Sequence, residues 1–540
     1  MEKHNGNPAR QRKLRFGIAL LLTAIAAFLV ISHLSFSSFC PQHQTSKPKK
    51  QNVIFMVTDG MGPASLSLAR SFKQHRDGLS IDDILTLDKH IIGNSRTRSS
   101  NSLVTDSAAG ATAFSCALKS YNGAIGVDPS KNPCGTVLEA MKLEGYLTGL
   151  VVTTRITDAT PAAFSAHVDY RWQEDLIAEQ QLGETPLGRT VDLILGGGRC
   201  HFLPNTIPGG CRADQRNLVE EAIAKNWSYV SDRELFDSLD GGKNVSLPLL
   251  GLLAPTDIPY DIDRDSKVYP SLAEQAKTAL TALSKATEDS DKGFFILIEG
   301  SRIDHAGHHN DPAAQVREVL AYDDAFKAVL EFADSTDVET VIISTSDHET
   351  GGLVTARQVS PSYPDYLWYP NVLLNSSHSG EYLTKKILTK KQTKELSPES
   401  FLSFIEKEIV QEDMGINDYT SKEIAEIQVS ADASAEKLLY YLNNMISVRS
   451  QTGWTTHGHS AVDVNIYAYS NSKRINEILY QREAYAGLLG NHENIEIGTF
   501  METLTGVNLE KVTDMLKDIK HHPEGKRASV NGADIHANAY

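Results

Sequence analysis

Positive charge is scarce in this 540-residue chain: 52 Lys and Arg stand against 68 Asp and Glu, a net charge of −16. A surface of that sign repels nucleic acid and anionic lipid at long range, so the composition argues against nucleic-acid binding. An anionic substrate would need a strong local cation. Cysteine is scarce too, with five residues. There is no internal repeat and no long low-complexity tract, and 41% of the residues are hydrophobic. The chain is therefore long and apolar enough to bury a large core, which excludes a disordered protein.

One uncharged apolar run, "FGIALLLTAIAAFLVISH" at 16–33, is close to the length that crosses a bilayer as a helix. Arg10, Arg12, Lys13 and Arg15 precede it, and the positive-inside rule keeps that tail cytoplasmic, with everything after about residue 34 on the far side. A cleaved signal peptide is the alternative, although no A-x-A site follows. The expected organisation is a cytoplasmic tail at 1–15, an anchor at 16–33, a polar stalk at 34–50, a body at 51–518 and a flexible tail at 519–540. Sequons at Asn226, Asn244 and Asn375 all lie downstream, as expected for a lumenal or extracellular body. Cys116 and Cys134, and Cys200 and Cys211, bracket spans short enough to close as disulfides in an oxidising lumen. Cys40 is left over, and free thiols are the alternative.

In the body, short continuous apolar runs end abruptly in polar or Gly residues: "NVIFMVTDGMG", "YLTGLVVTTRITDAT", "VDLILGGGR", "GFFILIEGSRID" and "ETVIISTSDHETGG". Continuous rather than alternating hydrophobicity predicts strands covered on both faces, with helical stretches between them. The fold class is α/β with a mainly parallel central sheet flanked by helices. A polar stretch at about 355–450 reads as an insertion over the site, since the strand pattern resumes after it. In such sheets the functional crevice lies at the carboxyl ends of the strands, where Asp59, Asp158, Glu299 and Asp347 all occur.

Asp304 and His308 in "IDHAGHH" stand four residues apart and would share one face of a helix. Asp347 and His348 are adjacent, and His457 and His459 follow in "TTHGHSAVDV". Carboxylate and imidazole clusters at three separate strand ends suit zinc. Asp59, Asp158, Glu299 and the Thr160 hydroxyl form an oxygen-rich set that suits magnesium. Arg171 offers a fixed fork for a tetrahedral oxyanion. In "VTDSAAGATAF", Ser107 sits among small residues at a helix start, a placement that fits either an N-cap or a nucleophile.

Taken in chain order, "VTDSAAGATAF…YNGAIGVD", "TDATPAA…AHVDYR", "EGSRIDHAGH", "SDHETGG" and "HSAVDV" resemble the motifs of the alkaline phosphatase family across residues 51 to 470. With the amino-terminal anchor the chain is most similar to the fungal vacuolar membrane members. The resemblance implies a phosphomonoesterase of broad specificity acting on small-molecule phosphomonoesters, with protein phosphomonoesters as a second class, and forming a homodimer with a crown-like insertion. It implies two zinc ions and one magnesium ion per subunit. Asp59, Asp347 and His348 would hold one zinc; Asp304, His308 and His459 would hold the other. Asp59, Asp158, Thr160 and Glu299 would hold magnesium. Ser107 would be the nucleophile, Arg171 would bind phosphate with Asp106 orienting it, and His305 would support the ligands from behind. His459 is preferred to His457 because the family's ligand stands four residues before the Asp463-Val464 pair. A type II protein of the vacuole membrane is implied, with the cell surface or another endomembrane as alternatives. Diesterases and sulfatases of the same superfamily share metal ligands, but Ser107, Arg171 and the third metal set argue against them.

Overall fold

The apolar runs become strands because both of their faces are covered. In β1 (Gln51–Val57) every residue is buried. Val53, Phe55 and Val57 face one apolar layer, while Ile54 and Met56 face another on the opposite side of the sheet. The period-two alternation of a strand thus distributes one continuous apolar run between two cores. The computed structural model describes residues 50–519 apart from 394, 395 and 484. The expected cytoplasmic tail at 1–15, the anchor run at 16–33, nearly all of the stalk at 34–50 and nearly all of the tail at 519–540 lie outside the described residues. Among the described residues, no helix is long and apolar enough to cross a membrane.

The remaining strands are β2 (Ile91–Arg96), β3 (Leu147–Arg155), β4 (Leu193–Gly197), β5 (Ser228–Val230), β6 (Leu249–Leu252), β7 (Phe294–Glu299), β8 (Glu339–Thr345), β9 (Glu349–Thr350), β10 (His459–Ser460), β11 (Val464–Ser470) and β12 (Gly490–Glu493). Ten of them form one sheet in the order β12-β2-β11-β8-β1-β7-β3-β4-β6-β5. Pairing is parallel throughout except at β11, which runs antiparallel to both β8 and β2. The expected α/β class with a mainly parallel sheet is what the chain adopts. The carboxyl ends of β1, β3, β7 and β8 meet at one edge, and the reversed β11 brings its amino-terminal end to that edge, with Ile466 opposite Thr345. Both expected disulfides, Cys116–Cys134 and Cys200–Cys211, are formed.

Within the stretch read from the sequence as an insertion, helices run over Asn371–Asn375, Gly380–Thr393, Pro398–Phe404, Ser421–Ala433 and Ala435–Ser450, with a π-wound turn at Ile405–Asp413. Their apolar faces share a third core with Leu68, Phe72, Ala313 and Val316 of the sheet-flanking helices. Arg302, almost fully buried on the helix Arg302–His308, donates to Glu381 at 2.6 Å and fastens this region to that helix.

The core reaches the site through aromatic packing. The Phe55 ring lies 5.4 Å from Phe114, on the helix Ser107–Cys116, and 5.7 Å from Phe164, on the helix Ala159–Ser165. Phe55→Ala is expected to cost ~3–5 kcal/mol of stability, because a cavity opens where three rings interlock. Thermal unfolding followed by circular dichroism checks this; an unchanged transition would mean the cluster repacks.

Candidate active site

The helix Ser107–Cys116 begins where a loop leaves the strand edge, and Asp106 caps it by accepting from the Ala109 amide at 3.0 Å. Ser107 is thereby fixed in the first turn with its hydroxyl toward the edge, where Oγ lies 3.0 Å from His348 Nε2. His348 is itself held by a chain of hydrogen bonds. Its Nδ1 lies 3.1 Å from the Thr350 hydroxyl, which itself donates to Asp304 Oδ1. With Thr350 donating onward, His348 Nδ1 donates to Thr350, and its Nε2 lone pair points at Ser107.

The same Nε2 is 3.1 Å from Asp347 Oδ2 and 3.5 Å from Asp59 Oδ1. Both of those carboxylate oxygens are buried and accept no hydrogen bond. Buried, unpaired anionic oxygens beside a nitrogen lone pair are costly unless a cation sits among them. Asp59 is pushed well up by burial and by the neighbouring Asp347, Asp304, Glu299 and Asp158 carboxylates. His348 is pulled up by Asp347 although burial opposes it. A proton can satisfy this set in the absence of metal, and a divalent cation fits it better.

A second convergence stands beside the first. Asp304 and His308 share one face of the helix Arg302–His308, with Asp304 Oδ2 3.3 Å from His308 Nε2. His459 Nδ1 donates to the Thr105 carbonyl at 2.7 Å, and His308 Nδ1 donates to the His457 carbonyl. Carbonyl oxygens cannot donate, so a ring that carries a single proton keeps it on Nδ1 and offers its Nε2 lone pair. Those two nitrogens face each other at 3.1 Å, and Asp304 Oδ1 lies 3.6 Å from His459 Nε2. Burial, with His348 adding to it, holds His459 well below the usual histidine range, which keeps it an electron-pair donor. Asp304 is held well below the carboxylate range, burial being outweighed by His308 and His459. Lone pairs converging in this way could hold a metal ion. His457 is turned away: its Nδ1 donates to the His308 carbonyl at 2.8 Å and its ring stacks on Tyr440.

Glu299 and Asp158 of the oxygen-rich set stand near enough to Asp59 to act on it. Thr160 Oγ1 is buried without a hydrogen-bond partner. Burial pushes Glu299 up to about 8, although its Oε2 accepts from Ser301 Oγ at 2.6 Å. Asp158 is engaged differently from its neighbours. Its Oδ1 accepts from the Ala159 amide at 2.7 Å and from Arg171 Nη2 at 3.0 Å, and its Oδ2 accepts from Arg155 Nη2 at 3.2 Å. Arg155 and Arg171 hold it below the carboxylate range against the opposing effect of burial. Arg171 therefore lies closer to Asp158 than to Asp106, whose Oδ2 is 3.5 Å from Nη1. The guanidinium is oriented by two carboxylates, where the sequence suggested one.

Three residues had no place in the sequence reading. Arg155 also pairs with Asp257 at 3.0 Å and Glu174 at 2.9 Å. Asp257 in turn lies 3.7 Å from His305 Nδ1. His305 accepts from Arg302 Nε at 3.2 Å, and burial pushes it down to about 4, so it is a neutral ring with its proton on Nε2. Thr350 is the third, and it fixes the tautomer of His348. The polar last residues of β3, "TTR", could have flagged Arg155, and the "DHETGG" motif Thr350; Asp257 has the look of an ordinary turn residue. Gly60 is required by close approach: its φ is +75°, and a Cβ there would come within 2.6 Å of the Asp304 Cα. Asp304 can lie this close to the end of β1 only because that side chain is missing. A cavity of about 200 Å³ opens over Asp106, Arg171 and His459, with Val104, Thr105 and Trp172 on its walls.

With this geometry in view, a family model described as "Alkaline phosphatase" matches residues 50–507. The chain is 58% identical to the repressible alkaline phosphatase of Saccharomyces cerevisiae over 97% of its own length and 93% of that protein's. Among solved structures, the alkaline phosphatase of Thermus thermophilus superposes with a TM-score of 0.70 at 25% identity, covering 89% of this chain and 100% of that one. A variant of the alkaline phosphatase of the Antarctic bacterium TAB5, solved with magnesium in its M3 site, superposes with a TM-score of 0.56 at 25% identity over 85% of this chain and 99% of that one.

Proposed function

Because this chain belongs to the alkaline phosphatase family and is a metal-dependent phosphomonoesterase, we propose that Ser107 is its nucleophile and that the residues around it divide the work as follows. The Ser107 oxygen attacks phosphorus, the bond to the alcohol oxygen breaks, and a phosphoserine forms; the alcohol leaves carrying a proton. Water then cleaves the phosphoserine to restore the hydroxyl and release inorganic phosphate. Arg171 binds two non-bridging oxygens of the phosphoryl group through its parallel N–H donors, with Asp106 and Asp158 setting the plane of the guanidinium.

The donor sets fit three cations. Asp59, Asp347 and His348 would hold one zinc and Asp304, His308 and His459 the second; Thr160, Glu299 and the shared Asp59, with Asp158 beside them, would hold magnesium. When bound, zinc lowers the pKa of a coordinated hydroxyl and offsets the charge on a departing oxygen, as two-metal sites do for in-line displacement. Thr350 and the backbone carbonyls of Thr105 and His457 keep the three imidazoles in the tautomers such ions need. The observation that carries this reading is the convergence of three Nε2 lone pairs and two unpaired buried carboxylate oxygens beside the Ser107 hydroxyl. Broad specificity follows, since every one of these groups addresses the phosphoryl end and none requires a particular alcohol.

Arg171 supplies the test. Arg171→Ala is expected to lower kcat/KM for a phosphomonoester by ~10²-fold or more, the loss typical of one charge-stabilising donor group at a reacting centre. Competitive inhibition by inorganic phosphate should weaken in parallel. If phosphate inhibits the variant as well as it inhibits the parent, Arg171 does not bind the phosphoryl group.

A further inference from the structure

The cavity over Arg171 has one wall that the phosphoryl chemistry does not use. Trp172 follows the phosphate-binding arginine directly in sequence, lines the same cavity as Arg171, Asp106 and His459, and is 38% exposed. A single exposed aromatic is ordinary on a protein surface. This one differs in being rigidly mounted at the mouth of a reaction site.

The Trp172 ring stacks on Tyr170 with centroids 4.5 Å apart and planes within 8° of parallel. Tyr170 is itself braced: Tyr121 meets it in an edge contact at 6.0 Å, and the Lys131 ammonium lies 4.7 Å over its ring. The Arg171 amide donates to the Gly123 carbonyl at 2.9 Å, which ties this segment to the loop behind it. Gly123 has φ +95°, and a Cβ there would stand 3.2 Å from Tyr170 Cδ1, so the glycine lets the loop close against the tyrosine. Val104, 37% exposed, lines the same cavity, and its carbonyl accepts from Asn122 Nδ2 at 3.1 Å. The cavity beside the phosphate clamp therefore includes a pre-ordered indole and an exposed valine among its walls.

We propose that Trp172, with Val104 in the same cavity, is a binding surface for the alcohol half of the substrate and selects for aryl phosphomonoesters over alkyl ones. The inference rests on Arg171 and Ser107 marking the phosphoryl position, because only then does the leaving group project along this cavity. A planar ring laid on an indole face gains offset-stacking contact that a short alkyl chain cannot match. The surface is already held by Tyr170, so little ordering cost is added on binding.

The test compares inhibitors that share a phosphoryl-like head. In Trp172→Ala, the inhibition constant of phenylphosphonate, taken relative to that of inorganic phosphate, is expected to rise about tenfold, a magnitude in line with aromatic stacking on a single ring. The corresponding ratio for methylphosphonate should change by less than about twofold. The ratio of kcat/KM for phenyl phosphate to that for ethyl phosphate should fall by a similar tenfold factor, and Trp172→Phe should restore most of it, which a merely structural role for the indole would not produce. Equal weakening of both phosphonates, or no change in either, overturns the proposal. The Arg171→Ala variant separates the two levels: if inorganic phosphate inhibits it as before, the phosphoryl site itself has been misplaced, whatever Trp172 does.

Discussion

Replacing Ser107 with alanine is expected to lower kcat for phosphomonoester hydrolysis by ~10³-fold or more, in the range that loss of a nucleophile produces in enzymes with covalent intermediates. The size of the effect follows from its position. Ser107 is nearly fully buried in the first turn of its helix, and its hydroxyl lies 3.0 Å from the His348 nitrogen that, with Asp59 and Asp347, makes up a group able to hold a metal ion. The other hydroxyls in the cluster are differently engaged: Thr350 is tied between His348 and Asp304, and Thr160 is buried without a hydrogen-bond partner. An alanine at 107 leaves the helix cap intact, since Asp106 makes it. The variant should therefore fold like the parent, and circular dichroism with metal analysis checks that the loss is chemical. A variant with near-parental kcat would remove Ser107 from the mechanism.

The second large effect concerns metal. Dialysis against a strong chelator is expected to abolish measurable turnover, and readdition of zinc and magnesium together should restore it. Zinc alone should restore less, and magnesium alone almost none. The reason lies in the donors: Asp304, His308 and His459 offer one carboxylate and two imidazole nitrogens, a borderline-soft set that suits zinc, whereas Thr160 and Glu299 offer only oxygen. His459→Ala should imitate part of this loss by releasing one zinc. His457→Ala should not, because His457 is committed to the His308 carbonyl and to Tyr440. Elemental analysis of each protein beside its turnover decides the matter; full activity in metal-free protein, or with magnesium alone, would contradict the assignment.

Much of this architecture is legible in the sequence because the physics involved is local. Continuous apolar runs mark strands with two covered faces, and the polar residues that end them, Asp59, Glu299 and Asp347, fall at the sheet edge by the geometry of the strand alone. Asp304 and His308 share a helical face through their spacing. The direction of β11 was not legible, because an apolar run carries no sign of whether it pairs parallel or antiparallel. That direction decides how His459 reaches the site, as the strand it precedes runs opposite to its neighbours. Arg155, Asp257 and Thr350 were illegible for another reason. Asp257 and Arg155 are 102 positions apart and meet only in the folded chain. Nothing in the neighbours of Asp257 distinguishes it from a turn aspartate, and Thr350 owes its significance to two partners, one of which is 46 positions away. Trp172, in turn, matters through the cavity wall it forms and the Tyr170 ring beneath it.

Identifying the phosphorylated residue after acid quenching tests the covalent mechanism most directly. Low pH protonates metal ligands and slows hydrolysis of the intermediate, so enzyme mixed with labelled inorganic phosphate or a phosphomonoester and quenched in acid should retain the label through denaturation. Peptide mapping by mass spectrometry should then find one phosphate, on Ser107 in the segment beginning "TDSAAGATAF", and none in Ser107→Ala. Label on any other residue, or none trapped on an active and metal-replete enzyme, would contradict a phosphoserine formed at Ser107.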